Sequence, residues 1–359
     1  MIYEDYSIFT PGPVKMSQKI LDIGAKQTPY FRNRAFSEVL LECESMLLEL
    51  VNAPKESRVI FLTASGTAGM ESVVYNLLSS KDKALVINGG GFGQRFVDLC
   101  NSYKIDHINF KVANSNLEDI EYLIPSPEAN TLIVNAHETS VGLLYDLDAL
   151  GEFVKKNNIF FIVDAISMLI TDPLDMEAQN IDVLIASSQK GLALPPGLSM
   201  VILSPRAIER LNSVDSLYFN FKNYLKDGLR GQTPYTPAVT IILQLQARLK
   251  QIIRDGGIKS SISRAKEVAT HFRREIKRLP LAFYSNYMPN AMTTLTPTDS
   301  KSAFDIVREL EERYRVVVCP NGGSLKDKIF RVSHMGDMDI AYIDVLIDAM
   351  YDYYGLKRL

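Results

Sequence analysis

The chain reads as an α/β protein whose large domain holds a mainly parallel sheet between helices, followed by a smaller α+β C-terminal domain. Three observations predict this. Between about residues 58 and 205, short β-branched runs alternate with helical patterns. Several of these runs are apolar without alternation, as expected of strands covered on both faces. Past residue 238 the texture changes to long amphipathic stretches.

In chain order, the strand candidates are RVIFLT (58–63), ALVIN (84–88), TLIVNA (131–136), IFFIVD (159–164), VLIAS (183–187) and SMVIL (199–203). Helical patterns lie between them; in GMESVVYNLL, Met70, Val73, Val74, Leu77 and Leu78 share one face. TIILQLQARLKQIIRD (240–255) and SISRAKEVATHFRREIKRL (261–279) read as two long helices, FRVSH (330–334) as a strand and IDVLIDAMYDYY (343–354) as a closing helix. The expected organisation is an extended N-terminal arm over 1–20, a large domain over 21–250 and a small domain over 251–359.

At 359 residues the chain can bury a substantial core, and its 47% hydrophobic and 23% charged content is ordinary for a globular protein. A net charge of −3 gives no electrostatic case for nucleic acid or an anionic membrane as partner. Cys43, Cys100 and Cys319 are widely spaced, with no CxxC and no adjacent histidine cluster, so neither a disulfide framework nor a metal site is expected. The start, MIYEDYSIFTPGPV, is acidic and broken by prolines, unlike a secretory signal. No apolar run approaches the roughly 18 residues that span a bilayer. A cytoplasmic protein is the expectation.

Four motifs sit at strand ends. LTASGTAGME (62–71) ends a strand and opens a helix at Ser65-Gly66-Thr67, where free N–H groups and the helix dipole favour an anion. Simple N-capping by Ser65 or Thr67 accounts for the same residues. NGGGFGQRFVD (88–98) leaves Phe92 as the one flat group in a glycine-rich path, either covering a planar ligand or packed in the core. NAHETSVG (135–142) crowds His137, Glu138, Thr139 and Ser140 onto a loop; His137 reads as a structural hydrogen-bonding residue before a catalytic one. In FFIVDAISM, Asp164 closes a very apolar strand, and Lys190 follows at the end of the next one, in SQKGLALPPG. The two form either a structural ion pair or the two sides of a cofactor site.

A lysine, a carboxylate, a phosphate cradle at a helix N-terminus and a flat cover together match the needs of pyridoxal 5′-phosphate (PLP). A lysine amine flanked by apolar strand residues loses hydration, which lowers its pKa and helps imine formation. On FTPGPV, SGTAGME, GGGFGQRFVD, HETSVG, DAISM, SQKGLALPPG, TPYTPAV and FRVSHMG, the chain resembles the class V aminotransferase family of fold-type I PLP enzymes. The alanine–glyoxylate and serine–pyruvate branch is the nearest likeness.

The resemblance implies roles residue by residue. Lys190 is the Schiff-base lysine, and Asp164 holds the pyridine nitrogen protonated. Ser65, Gly66 and Thr67 bind the phosphate, with Gln189 adding a contact. Thr139 bonds the ring hydroxyl, and Ile166 packs on the face opposite Phe92, where the family often has tryptophan. Arg331, in KIFRVSHMG, takes the substrate carboxylate. Thr236, with Thr233 the weaker candidate, reaches the partner's cofactor phosphate, which implies a homodimer with shared active sites. The implied reaction moves an amino group from a small donor to a small 2-oxo acid, with ping-pong kinetics. Two other reactions on this fold compete with it, 2-aminoethylphosphonate–pyruvate transamination and cysteine desulfuration; Cys319, closing VVVC, reads as a packed thiol rather than a sulfur acceptor. A non-catalytic cofactor-binding protein is opposed by the intact lysine and aspartate. In YFRNRAF (30–36), Phe31-Arg32 stands where that branch often carries His-Arg, which leaves open whether this pair contacts substrate.

Overall fold

Alternate residues of each central strand face two different cores, and this sets the layers. The computed structural model describes residues 5–112 and 129–358; the first four residues of the expected arm and Leu359 lie outside them. The main sheet contains β1 (Arg58–Leu62), β2 (Lys83–Asn88), β3 (Asp106–Lys111), β4 (Thr131–Asn135), β5 (Phe160–Asp164), β6 (Val183–Ser187) and β7 (Ser199–Leu203). Their spatial order is β1-β7-β6-β5-β4-β2-β3, with β7 antiparallel to both neighbours and the other pairings parallel. Each of the six expected strands of this sheet forms. β3 is an addition to them: DHINFK is polar at both ends and only half-buried along its length, as an edge strand can be.

On one face, Phe161 and Val163 of β5 join Leu40 and Leu47 of helix α1 (Arg34–Leu50). On the other, Phe160 and Ile162 join Val73 and Val74 of α2 (Gly66–Leu77). Burial on both faces is why these strands read as continuous apolar runs. Helix α3 (Gly91–Ser102) follows β2, and α4 (Leu147–Asn157) precedes β5. Parallel strands of this kind present their carboxyl ends at one edge of the sheet, where open α/β proteins place their sites.

The two amphipathic stretches are helices α5 (Val239–Arg254) and α6 (Gly257–Glu275), parted by a turn in which Gly256 and Gly257 both have positive φ. α5 buries Ile242, Leu245 and Leu249 in the core that holds Leu40, whereas α6 buries Val268 and Phe272 in a separate one. That second core is covered by an antiparallel sheet of β8 (Leu281–Phe283), β9 (Met292–Pro297), β10 (Cys319–Pro320) and β11 (Phe330–Ser333), in the order β8-β9-β11-β10. Helices α7 (Ala303–Tyr314) and α8 (Ile340–Tyr353) complete it. The N-terminal segment is extended and pinned here: Ser7–Ile8 pairs in parallel with Val316–Val317, and Phe9 is fully buried.

Candidate active site

Where β1, β4, β5 and β6 end, a cavity of about 130 Å³ opens. Ser65, Gly66, Thr67, Phe92, His137, Thr139, Asp164, Ile166, Gln189 and Lys190 all line it, so ten of the residues weighed in the four motifs meet in one place. Ser65 is the N-cap of α2, yet its hydroxyl makes no capping hydrogen bond, and the N–H groups of Gly66 and Thr67 find no acceptor among the described residues. Capping therefore does not account for the motif; three donors at the positive end of a helix stay open. Gly66 has no room for a side chain, because a Cβ there would lie 2.5 Å from Ile166 Cδ1. Gln189 accepts from the Ser187 hydroxyl at 2.6 Å through Oε1, which leaves its NH₂ group available.

Asp164 and Lys190 line the cavity together with the charged Arg95. Asp164 Oδ1 accepts from the Ile166 N–H at 2.8 Å. Burial pushes the Asp164 carboxyl up to about 7, against the opposing pull of that hydrogen bond and of Lys190. Burial likewise brings Lys190 down to about 8, while Asp164 acts to raise it. Lys190 Nζ donates to the Pro11 carbonyl at 2.6 Å, so the N-terminal segment closes one side of the site.

His137 is buried, and burial drives its pKa down to about 3, so the ring is neutral. Its Nδ1 lies 3.3 Å from the Ser167 carbonyl, and Nε2 has no partner among the described residues. Thr139 donates to Ser167 Oγ at 2.8 Å. Glu138 accepts from the N–H groups of Phe92 and Gly93 at the start of α3 and from Asn135 Nδ2, pinning the 137–140 loop to that helix.

Arg331 and Thr236 lie outside the cavity lining. β11 sets Arg331 opposite Thr294 on β9 and Cys319 on β10. Its Nη1 donates to the Thr139 carbonyl at 3.1 Å, and its Nη2 to Pro320 O at 2.7 Å and Cys319 Sγ at 2.9 Å. Its buried Nε finds no acceptor among the described residues. Thr236 is exposed on the loop before α5, and Thr233 is buried, its hydroxyl donating to Tyr235 O. Arg32 holds that loop by donating to the carbonyls of Thr233 and Pro234 at 2.7 and 3.1 Å.

Arg95, like Ser167, is a lining residue that sequence reasoning missed. One turn of α3 after Phe92, its guanidinium lies 4.8 Å from the Phe92 ring centroid and donates to Thr67 Oγ1 at 2.8 Å. The spacing of the two on a helical face is the available signal.

Residues 26–324 match the family model described as aminotransferase class-V. The chain belongs to the class-V aminotransferases. Among its relatives, an uncharacterised aminotransferase of Helicobacter pylori is 29% identical over 92% of this chain and 88% of its own. The rabbit (Oryctolagus cuniculus) alanine–glyoxylate aminotransferase is 25% identical over 91% of this chain and 86% of its own. The crystal structure of a subgroup IV aspartate aminotransferase from Thermus thermophilus, 27% identical, superposes with a TM-score of 0.88 over 96% of this chain and 99% of that one.

The enzymes of this family are PLP-dependent transaminases, and the cavity of this class-V aminotransferase suits that group. Unused N–H and hydroxyl donors at a helix N-terminus match a phosphate, and a buried carboxylate short of a cation matches a ring N–H. The orphaned His137 Nε2 is a further polar atom that a ligand group can complete. Among the described residues no cluster of His, Cys, Asp and Glu could hold a metal ion, and no helix is long and apolar enough to cross a membrane.

Proposed function

We propose that this class-V aminotransferase moves an amino group from a small donor of the alanine or serine type to a small 2-oxo acid, glyoxylate or pyruvate, in two half-reactions sharing one site. The convergence of Lys190, Asp164 and the open N-terminus of α2 on one cavity carries the reading. Bound there, PLP would supply an aldehyde to receive the amino group and an electron sink for the donor's Cα–H bond. Ser65, Gly66, Thr67 and Gln189 hold the phosphate, Asp164 takes the ring N–H, Phe92 and Ile166 confine the ring, and Thr139 bonds its hydroxyl. Lys190 Nζ, lowered to about 8, would be the base that takes the donor's Cα proton and the acid that delivers it to the carbon receiving the nitrogen, which frees the donor skeleton as a 2-oxo acid on hydrolysis. Arg331 holds the substrate carboxylate, with its Nε the donor in reserve.

The small, neutral donor is supported by the charges around the cavity. Arg95 is engaged with Thr67 and Phe92, and Arg273 with the carbonyls of Pro289 and Met292 and with Thr293 Oγ1. Arg273 is thereby spent, and Arg95 is held against Thr67 and Phe92 at the phosphate end of the cavity, which supports Arg331 as the arginine for a single carboxylate. Glyoxylate as acceptor is supported by the name of the rabbit relative. The exposure of Thr236 supports a homodimer in which that residue reaches the partner's phosphate. Membership of two separate cores supports a large domain over 21–250 and a small one over 251–359. Three free cysteines, two of them buried, support a cytoplasmic setting. The test is a panel of single amino donors with glyoxylate or pyruvate, following glycine or alanine formation and the parallel-line kinetics of a ping-pong mechanism. Alanine or serine should lead the panel; preference for a dicarboxylic donor would overturn the donor assignment.

A further inference from the structure

Away from the amino-transfer cavity, a cleft of about 40 Å³ lies between the two cores, bounded by the loop that follows Lys190, by α5 and α6, and by the connector from β11 to α8. Three of its lining groups carry nitrogen donors without acceptors among the described residues. His334 is 3% exposed, and its Nε2 lies 2.8 Å from Thr293 Oγ1. That hydroxyl accepts from Arg273 Nε at 2.9 Å and has no other acceptor among the described residues for its own proton, so the tautomer that satisfies it is the one in which His334 Nε2 accepts. Burial and the Arg273 charge keep the His334 ring neutral. Its proton then sits on Nδ1, a buried N–H with no acceptor.

Two guanidinium groups share the cleft. Arg248 spends Nε on the Leu192 carbonyl and Nη1 on Gln251 Oε1, both at 3.2 Å, which leaves Nη2 free. Arg264 makes no ion pair or hydrogen bond among the described residues, and its charge disfavours that of Arg248. Asp337 and Asp255 act the other way on Arg248 but form no ion pair with it; they pair with Lys15 and Arg254. A buried, unpartnered ring nitrogen and the free Nη2 of the half-buried Arg248, with the exposed Arg264 adding positive charge at the rim, favour an electron-rich occupant. A cleft of this size admits a small ion or a few water molecules but not an organic ligand.

We propose that this cleft binds a small inorganic anion of chloride size, held by the His334 Nδ1–H and by the guanidinium groups of Arg248 and Arg264. The anion would tie α5, α6 and the connector after β11 to the loop that carries Lys190, because Gly191 lines the cleft and Arg248 already grips Leu192.

The test uses the PLP-loaded protein. Its melting temperature is followed as chloride replaces gluconate at constant ionic strength, and crystals are grown with bromide for anomalous diffraction. A saturable rise in melting temperature is expected. Arg264→Gln, an exposed substitution that leaves the fold intact, should raise the half-saturating chloride concentration by about 5-fold or more. Bromide should give an anomalous peak within about 3.5 Å of His334 Nδ1. A cleft without bromide, or a chloride response unchanged by Arg264→Gln, would overturn the proposal.

Discussion

Lys190 Nζ and the Pro11 carbonyl are joined by a 2.6 Å hydrogen bond across 179 residues of sequence. The same N-terminal segment is bound to the small sheet, since the Ser333 N–H donates to Phe9 O at 2.8 Å, on the strand that carries Arg331. The arm therefore links the amine proposed to react to the strand of the arginine proposed to hold the substrate carboxylate. Gly12 is needed at the contact. Its φ is +129°, and a Cβ there would lie 2.7 Å from Lys190 Cδ and 2.9 Å from Cε. Gly12→Ala should lower kcat by about 10-fold or more by displacing the amine, with cofactor affinity changed far less. Steady-state kinetics beside a cofactor titration checks the split; wild-type kcat in the variant would contradict it.

Arg95 should matter for the cofactor more than for the substrate. By donating to Thr67 Oγ1 it leaves the threonine hydroxyl proton free to point into the phosphate cradle. Hydrogen bonds to charged groups are worth about 1.5–3 kcal/mol, so Arg95→Ala should weaken PLP binding by roughly 10- to 150-fold. Arg95→Lys should fall between, since the charge remains while the planar stacking on Phe92 is lost. Titration of the cofactor-free protein measures both; wild-type affinity in Arg95→Ala would remove the residue from the cradle.

Asp164 gives the cofactor-free protein a pH dependence of definite sign. Its folded pKa, about 7, stands above the ordinary 3.8, so the folded state binds the proton more tightly than the unfolded state. The resulting stability is fully present below about pH 4 and is lost as pH rises through about 7, at most on the order of 4 kcal/mol. Lys190 acts in the opposite sense at higher pH. Its folded pKa of about 8 lies below the ordinary 10.5, so its contribution rises with pH between these values. Denaturant titrations of wild type and Asp164→Asn across about pH 4–7 isolate the first effect as the difference between the two curves. Parallel curves would show that Asp164 does not titrate in this range.

Arg331 is held by Thr139 O, Pro320 O and Cys319 Sγ, which orient its guanidinium before substrate arrives. Arg331→Ala should lower kcat/KM for an amino acid donor by about 10-fold or more. Arg331→Lys should rescue only part, because an ammonium lacks the fork geometry. The decisive comparison is an amino acid against the corresponding amine without its carboxylate. Equal losses for both would make Arg331 structural.

The parts legible in the sequence are those whose environment is uniform along the chain. FFIVD and VLIAS are buried on both faces, so their apolar runs announce central strands. DHINFK, at the sheet edge, carries no such run. Ser7–Ile8 becomes a strand only because Val316–Val317 is there to pair with it, a tertiary fact. In the candidate site, Lys190 and Asp164 stand out because charges at the ends of apolar strands need a reason. Arg95 is hidden, since an arginine in an amphipathic helix usually reads as part of a solvated face. The contact of Arg331 with Cys319 depends on the β10–β11 register, which local sequence does not encode. Sequence alone leaves Arg32 open as a substrate contact, whereas its hydrogen bonds to Thr233 and Pro234 assign it to the loop before α5.

Lys190 is proposed as the amine that bonds the cofactor and then moves the substrate proton. Borohydride reduction of the PLP-loaded protein, followed by peptide mass mapping, tests it most directly. A phosphopyridoxyl group is expected on Lys190 in the wild type. Lys190→Ala should show neither that label nor transamination, with PLP still bound non-covalently through the Ser65–Thr67 cradle. A label on another lysine, or turnover by Lys190→Ala at the wild-type rate, would contradict it.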